Sequence, residues 1–209
     1  MKRALLPAVC AAAFLLSSCY HNAELAQRAA DGDPQAQYEY ARRLLTGQKG
    51  LTAEPECAVA WLHPAAKEGY APAQALLALC YERGLGTERS PREARRLYTA
   101  AAEQGHAPAC RALVAQEMAA GRLPAAERWL RLLAEQDNAG AQLVYAKMCL
   151  GGTFGHRREA EALRYLRFAA MQGNAEACLL MADCYAEGIG VPRNAALAQG
   201  WRRNAVEED

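Results

Sequence analysis

Apolar residues recur along this 209-residue chain three and four apart, the spacing of one helix face, and the pattern itself returns at a longer interval. Its markers are Gly32, Gly69, Gly105, Asp137 and Gly173, at steps of 37, 36, 32 and 36 residues, and Asp209 stands another 36 on. A period of this size marks an array of small structural units and moves the functional expectation from catalysis towards recognition.

Counted from each marker, the fourth residue is Ala36, Ala73, Ala109, Ala141 and Ala177, and the ninth is Ala41, Ala78, Val114, Ala146 and Ala182. Small residues at this spacing on one helical face let a second helix approach closely, so they predict a packing seam. The eighth residues, Tyr40, Leu77, Leu113, Tyr145 and Met181, fill the space beside it. A glycine-containing loop ends each such helix, and a second helix follows, carrying Ala58, Ala94, Ala126, Ala162 and Ala198. Three residues after each of these comes a large one, Trp61, Leu97, Trp129, Tyr165 and Trp201, and four further on Ala65, Ala101, Leu133, Ala169 and Ala205 close the seam. Neither helix of a unit can bury its face without the neighbouring unit. The third unit is four residues shorter, with Pro124 placed to start its second helix, and Ala23 to Ala30 reads as the second helix of a missing earlier unit.

Tyr185, Gly188, Gly190, Val191, Asn194, Ala198 and Trp201 follow the pattern Y-x2-G-x-G-V-x2-N-x3-A-x2-W, and Tyr81, Gly84, Gly86, Ala94, Ala101, Ala102 and Gly105 follow it in the second unit. This resembles the Sel1-like repeat, a relative of the tetratricopeptide repeat, over roughly residues 33 to 209. The resemblance implies an all-α fold, an α/α solenoid of about five helix-turn-helix repeats wound as a right-handed superhelix, acting as a non-enzymatic adaptor that holds other proteins. Glu117 and Cys149 depart from the pattern where tyrosine is expected, and Pro64 falls inside a helix, where it is expected to kink or shorten it at a cost of roughly 3 kcal/mol.

Residues 1 to 18 form a separate segment: Lys2 and Arg3, an apolar stretch from Ala4 to Leu16 too short to span a bilayer, then Ser17 and Ser18. Leu16-Ser17-Ser18-Cys19 resembles the bacterial lipobox, which implies cleavage before Cys19 and lipidation of that cysteine; the alternative is an ordinary secretory signal with an incidental Cys19. Several acyl chains would hold the protein durably on a membrane. Tyr20 in place of aspartate favours the outer membrane, and residues 19 to 22 leave only a short tether before a solenoid domain spanning 23 to 209. The expected address is therefore the bacterial cell envelope, facing the periplasm or the cell surface.

Composition narrows the chemistry. Apolar residues make up 52% of the chain and charged ones 22%, enough for a packed core, and the formal charge of +1 falls to −1 once Lys2 and Arg3 leave, so nothing points to nucleic acid. Six cysteines remain beyond Cys19, and an oxidising compartment permits disulfides. Cys57 with Cys80, at equal height in a helical hairpin, and Cys149 with Cys184, at similar height on successive first helices, are the candidate pairs; the alternative is that all six are small buried hydrophobes. No metal-ligand spacing is present and no cofactor is implied. Ser90 reads as a helix N-cap with Glu93 completing a capping box. A cysteine-rich branch of the family is linked with penicillin binding and β-lactamase activity, but Ala102 and Ala170 stand where that branch has cysteine.

The candidate partner-binding residues are basic. Arg96, Arg128 and Arg164 precede the large position of successive second helices, and Arg131, Arg167 and Arg203 stand two after it, a stack of arginines suited to an anionic partner such as an anionic lipid, an acidic protein, a cell-wall polymer or an anionic glycan. Glu93, Glu127 and Glu161 lie three or four residues from several of them, the pattern of a compensated, solvated face. Leu76, Leu79, Leu143, Val144, Leu179 and Leu180 form a second candidate lining for a peptide groove, with core packing the alternative. The reading that joins these features is a membrane-anchored scaffold for envelope proteins, with the glycan binder and the penicillin-binding enzyme as alternatives.

Overall fold

Asp33, Ser90, Asn138, Asn174 and Asn194 each accept a backbone N–H at a helix start, and Pro34, Pro55, Pro72, Pro91 and Pro124 sit in first turns whose N–H groups need no partner. In the computed structural model, which describes residues 22–206, these signals start a succession of helices. The signal segment and Cys19 lie outside the described residues. Helix α1 covers 22–30. Then follow α2 (Pro34–Thr46), α3 (Pro55–Lys67), α4 (Ala71–Arg83), α5 (Pro91–Glu103), α6 (Ala107–Ala119), α7 (Leu123–Ala134), α8 (Ala139–Gly151), α9 (Glu159–Met171), α10 (Ala175–Glu187) and α11 (Ala195–Asn204). The fold is all-α, with each repeat interval holding two helices.

The described chain divides into two compact units, one ending at Ala109 and the other starting at Cys110. In the first, α2 packs on α3, α3 on α4 and α4 on α5; in the second, α7 packs on α8, α8 on α9, α9 on α10 and α10 on α11. The seam is where the sequence places it. The fourth-position alanines are all buried, as are Ala58, Ala94, Ala126, Ala162 and Ala198. Helix α1 serves as the missing earlier second helix: Leu25 and Ala29 pack on Ala36, with Tyr40 and Trp61 meeting edge to face at 5.8 Å beside them. Asp137, the one marker that is not glycine, takes the left-handed conformation its counterparts take, at φ 54°, which an aspartate tolerates.

Polar clasps supplement the seam. Gln37, Gln74 and Gln142, all buried at the fifth position, donate to the carbonyls of Ala29, Ala66 and Ala134 in the preceding second helix, each at 3.1 Å. Gln104 and Gln172 at the ends of α5 and α9 donate back to Gln74 and Gln142 at 2.9 Å, so one amide ties three consecutive helices. Cys178 holds that position in α10, and its sulfur stands 4.0 Å from the Ala170 carbonyl. The shortened third interval closes around Glu117: its buried carboxylate accepts from Arg122 Nε at 2.5 Å and its carbonyl from the Arg122 amide at 2.8 Å.

Pro64 does not shorten its helix. Helix α3 has 13 residues, as α2 and α4 have, because Pro64 and Ala60, whose carbonyl loses its donor, both face solvent. The caps carry measurable stability. Asn174 accepts the Ala177 amide at 2.9 Å, so Asn174→Ala is expected to cost about 1 kcal/mol, a fall of roughly 2–4 °C in a thermal melt followed by circular dichroism.

Candidate interaction site

The positions that pack the seam leave a neighbouring strip of each helix pair facing outward, where the eighth and twelfth residues of a first helix meet the last turns of the second helix before it. In the first unit this strip is a hollow of about 420 Å³ lined by His63, Lys67, Leu77, Tyr81, Glu93 and Arg96 among others. Its contents satisfy one another. Arg96 is paired with Glu93 at 2.9 Å, and Tyr81 Oη lies 3.5 Å from His63 Nε2 with the two rings edge to face. Ser90 caps α5 by accepting the Glu93 amide, as its sequence context predicts, while the Glu93 carboxylate turns to Arg96.

In the second unit the same positions carry different residues. Counted from Gly69 and Gly173, Arg167 stands where His63 does, Met181 for Leu77 and Tyr185 for Tyr81; Phe168 stands at the place of Pro64, and Arg164 holds in α9 the place that Arg96 holds in α5. They line a trough of about 330 Å³ together with Leu163, Arg167 and Val191, and Arg164 and Phe168 also border an adjoining hollow of about 280 Å³ beside Gln142 and Tyr165. Phe168 is 45% exposed, an unusual state for an aromatic side chain with no polar atom.

The charges differ as well, and the cause lies on the neighbouring helices α7 and α8. Tyr145 occupies the position of Leu77, and Arg158 the position of Ser90. Buried Tyr145 donates to Glu161 at 2.9 Å and accepts from Arg131 Nε at 3.1 Å. Arg158 bonds Glu127 at 2.7 Å and Glu161 at 3.2 Å, while Arg131 bonds Glu127 at 2.6 Å. Phe154 stacks on Tyr145 and lies under the Arg158 guanidinium. The donation from Arg158 is the main reason that the Glu127 carboxyl titrates below its usual range, and burial pushes the Tyr145 phenol up. Glu161 is the residue three before Arg164, as Glu93 is three before Arg96. Drawn inward by Tyr145 and Arg158, it forms no ion pair with Arg164.

The six candidate arginines therefore separate by environment. Arg96 is compensated by Glu93, and Arg131 is drawn into the network between α7, α8 and the start of α9, as the compensated-face pattern predicts for both. Arg128 lies over the ring of Trp129 at 4.5 Å. Arg164 lies over the Tyr165 ring at 4.8 Å, and Arg167 is exposed beside it at the trough. Arg203 is exposed on α11. The first-helix apolar residues behave otherwise than as a groove lining: Leu143 is buried, Leu76, Leu79 and Leu180 are half-buried, Val144 and Leu179 are exposed, and none of the six borders these three hollows.

Neither candidate disulfide is formed. Cys57 lies exposed on α3 while Cys80 is fully buried in α4, so equal height does not bring the two thiols face to face. Cys149 and Cys184 are both buried thiols, and Cys110 and Cys178 are buried as well. Burial pushes the Cys80 thiol up to about 11, the behaviour of a packed hydrophobe. Among the described residues no cluster of three His, Cys, Asp or Glu is placed to hold a metal, and no helix is long and apolar enough to cross a membrane.

Sequence reading missed Phe168 and the network on the neighbouring helices. The available signal was a pair of exchanges at matched repeat positions, Leu77 to Tyr145 and Ser90 to Arg158, each placing a polar group where the other unit has none that is charged.

The Sel1 repeat family model matches residues 34–70, 71–106, 139–174 and 175–207, leaving between them the interval with the shortened repeat. Among solved structures, a Sel1 repeat protein from Oxalobacter formigenes is 31% identical, with 85% of this chain and 72% of that chain covered and a TM-score of 0.64. The protein c5321, a protective antigen present in uropathogenic Escherichia coli strains, is 28% identical at a TM-score of 0.65, with 90% of this chain but only 43% of that chain covered. A comparison with curated proteins gave no match.

Proposed function

The chain belongs to the Sel1 repeat family, whose repeats typically mediate protein–protein interaction, and we propose that it is a lipid-anchored scaffold holding a protein partner in the bacterial cell envelope. The observation that carries the scaffold reading is the trough of the second unit, where an exposed phenylalanine and two arginines without an ion pair among the described residues line a concave surface between successive helix pairs. Solenoids use such repeated concave faces for binding. The anchor rests on Leu16-Ser17-Ser18-Cys19 following an apolar stretch, with the outer membrane favoured by Tyr20. No step of this role needs catalysis, and the fold is generally a non-catalytic one.

Two measurements test the two halves of the proposal. With Cys19 changed to Ala, the protein is expected to move from the detergent phase to the aqueous phase of a phase-partitioning assay; unchanged partitioning removes the lipid anchor. A photoreactive residue in place of the exposed Ala160, at the trough edge, is expected to crosslink a defined envelope protein in living cells. Crosslinks indistinguishable from those made at exposed Arg42, on a different helix, would remove the scaffold assignment to this surface.

A further inference from the structure

Building on the scaffold reading, we propose that the trough of the second unit recognises an acidic, extended peptide segment, with two carboxylates at alternate residues for Arg164 and Arg167 and an apolar side chain of the same segment for the pocket of Phe168, Met181 and Tyr185. Three observations on the same helix face converge on this occupant.

The first is uncompensated charge. Among the described residues Arg164 and Arg167 form no ion pair, while Arg96, at the place of Arg164 in its own second helix, does. The difference has a structural origin: Glu161, which by position should neutralise Arg164, is committed to Tyr145 and Arg158. The network between α7, α8 and the start of α9 thus keeps a guanidinium pair available at the surface of a molecule whose net charge is close to zero.

The second is spacing. Arg164 and Arg167 are one turn apart on α9, which places their stems about 5–6 Å from each other. Side chains on one edge of an extended chain recur every two residues, about 6.6 Å. Two acidic residues separated by one therefore match the arginine pair, and Phe168, next to Arg167 and one turn from Arg164, lies within reach of an apolar side chain of the same segment.

The third is the lining beyond the arginines. Leu163, Met181 and Val191 line the floor and walls, and Phe168 is left 45% exposed. Phosphate or sulfate groups on a glycan would use the arginines but leave this apolar surface wet, whereas a leucine or phenylalanine of a peptide covers it.

The test uses the full-length chain in mild detergent and a fluorescein-labelled peptide, Gly-Glu-Ala-Glu-Ala-Leu-Gly, followed by fluorescence anisotropy. Saturable binding is expected. Changing both peptide glutamates to glutamine is expected to weaken it tenfold or more, and Arg164→Glu with Arg167→Glu to do the same. Phe168→Ala is expected to lose fivefold against this peptide and nothing against the same peptide with Ala for Leu. Reversing two exposed arginines elsewhere, Arg92→Glu with Arg111→Glu, controls for total charge and is expected to stay within twofold. Matching helical circular dichroism keeps a folding defect apart from a binding defect. Absence of peptide binding, or equal loss in the control double variant, overturns the proposal. A heparin hexasaccharide that binds as tightly as the peptide and is indifferent to Phe168→Ala overturns it in favour of a polyanion site. If crosslinks from position 160 persist while the peptide fails to bind, the acidic segment is wrong and the scaffold stands; if the peptide binds and no cellular crosslink forms, the scaffold reading is the part that fails.

Discussion

Gly86→Ala is expected to destabilise the first unit by about 4 kcal/mol, the sum of a left-handed backbone imposed on an L-residue and an enforced overlap. Gly86 has φ 65°, and an added Cβ would lie 2.2 Å from the carbonyl carbon and oxygen of Pro55 and 2.6 Å from the Glu56 nitrogen. Those atoms are the backbone at the start of α3, which cannot rotate aside as a side-chain end can. The loop between α4 and α5 rests directly on the preceding second helix at this point, so either the loop lifts or the first turn of α3 opens. Gly69→Ala is the matched comparison: its φ is 88°, but nothing lies within 4 Å of the added carbon, and only the conformational cost of about 1–2 kcal/mol remains. Thermal melts should separate the two by several degrees, with Gly86→Ala on the order of 10 °C below the parent. Equal melting of the two variants would mean that the loop does not bear on α3 as closely as described.

Glu127→Gln is expected to cost the second unit about 2–3 kcal/mol at neutral pH, since it removes the charge that Arg158 and Arg131 share at a largely buried position. The pH dependence identifies the source. The folded carboxyl titrates below its unfolded counterpart, chiefly because Arg158 donates to it, so its stabilisation is fully present above the unfolded value near 4.5 and is lost as pH falls through the lowered folded value. Urea unfolding curves of parent and variant should therefore lie apart at pH 7 and converge at strongly acid pH. Trp129, buried on the same helix two residues away, supplies the fluorescence signal. A deficit that is the same at both pH values would assign the loss to packing instead.

The seam was legible because it answers to a single demand. Where two helix backbones approach closely only small side chains fit, so Ala36, Ala73, Ala109, Ala141 and Ala177 announce the contact wherever they recur, and the family model agrees over four of the five intervals. Ser90 could be read as a cap because capping depends on neighbours three residues away. The charged surface could be read only halfway. Glu161 has an arginine three residues before it and another three after, and the helix alone offers it both; Tyr145, 16 residues back on another helix, decides between them. The cysteines failed for a related reason. Counting from the marker gives the height of Cys57 and Cys80 along their helices but not their facing, and one points to solvent while the other is sealed in the core. Pro64 leaves α3 at its full length, with the carbonyl that loses its donor on the exposed side of the helix, a facing that the sequence spacing alone does not give.

The glutamine clasps set how the helices are fastened. Gln74 and Gln142 each stitch three successive helices through two amide bonds, so a fluctuation that lifts one helix must strain its neighbours on both sides. At α10 a sulfur 4.0 Å from the Ala170 carbonyl stands in place of the amide, and Lys147 on α8 pairs with Glu176 in the first turn of α10. Helix α10 forms one side of the proposed binding trough through Met181 and Tyr185. The wall of the trough is thus held by apolar packing and an ion pair at the start of α10 where α4 and α8 are held by an amide, and an arriving apolar side chain extends the same kind of contact.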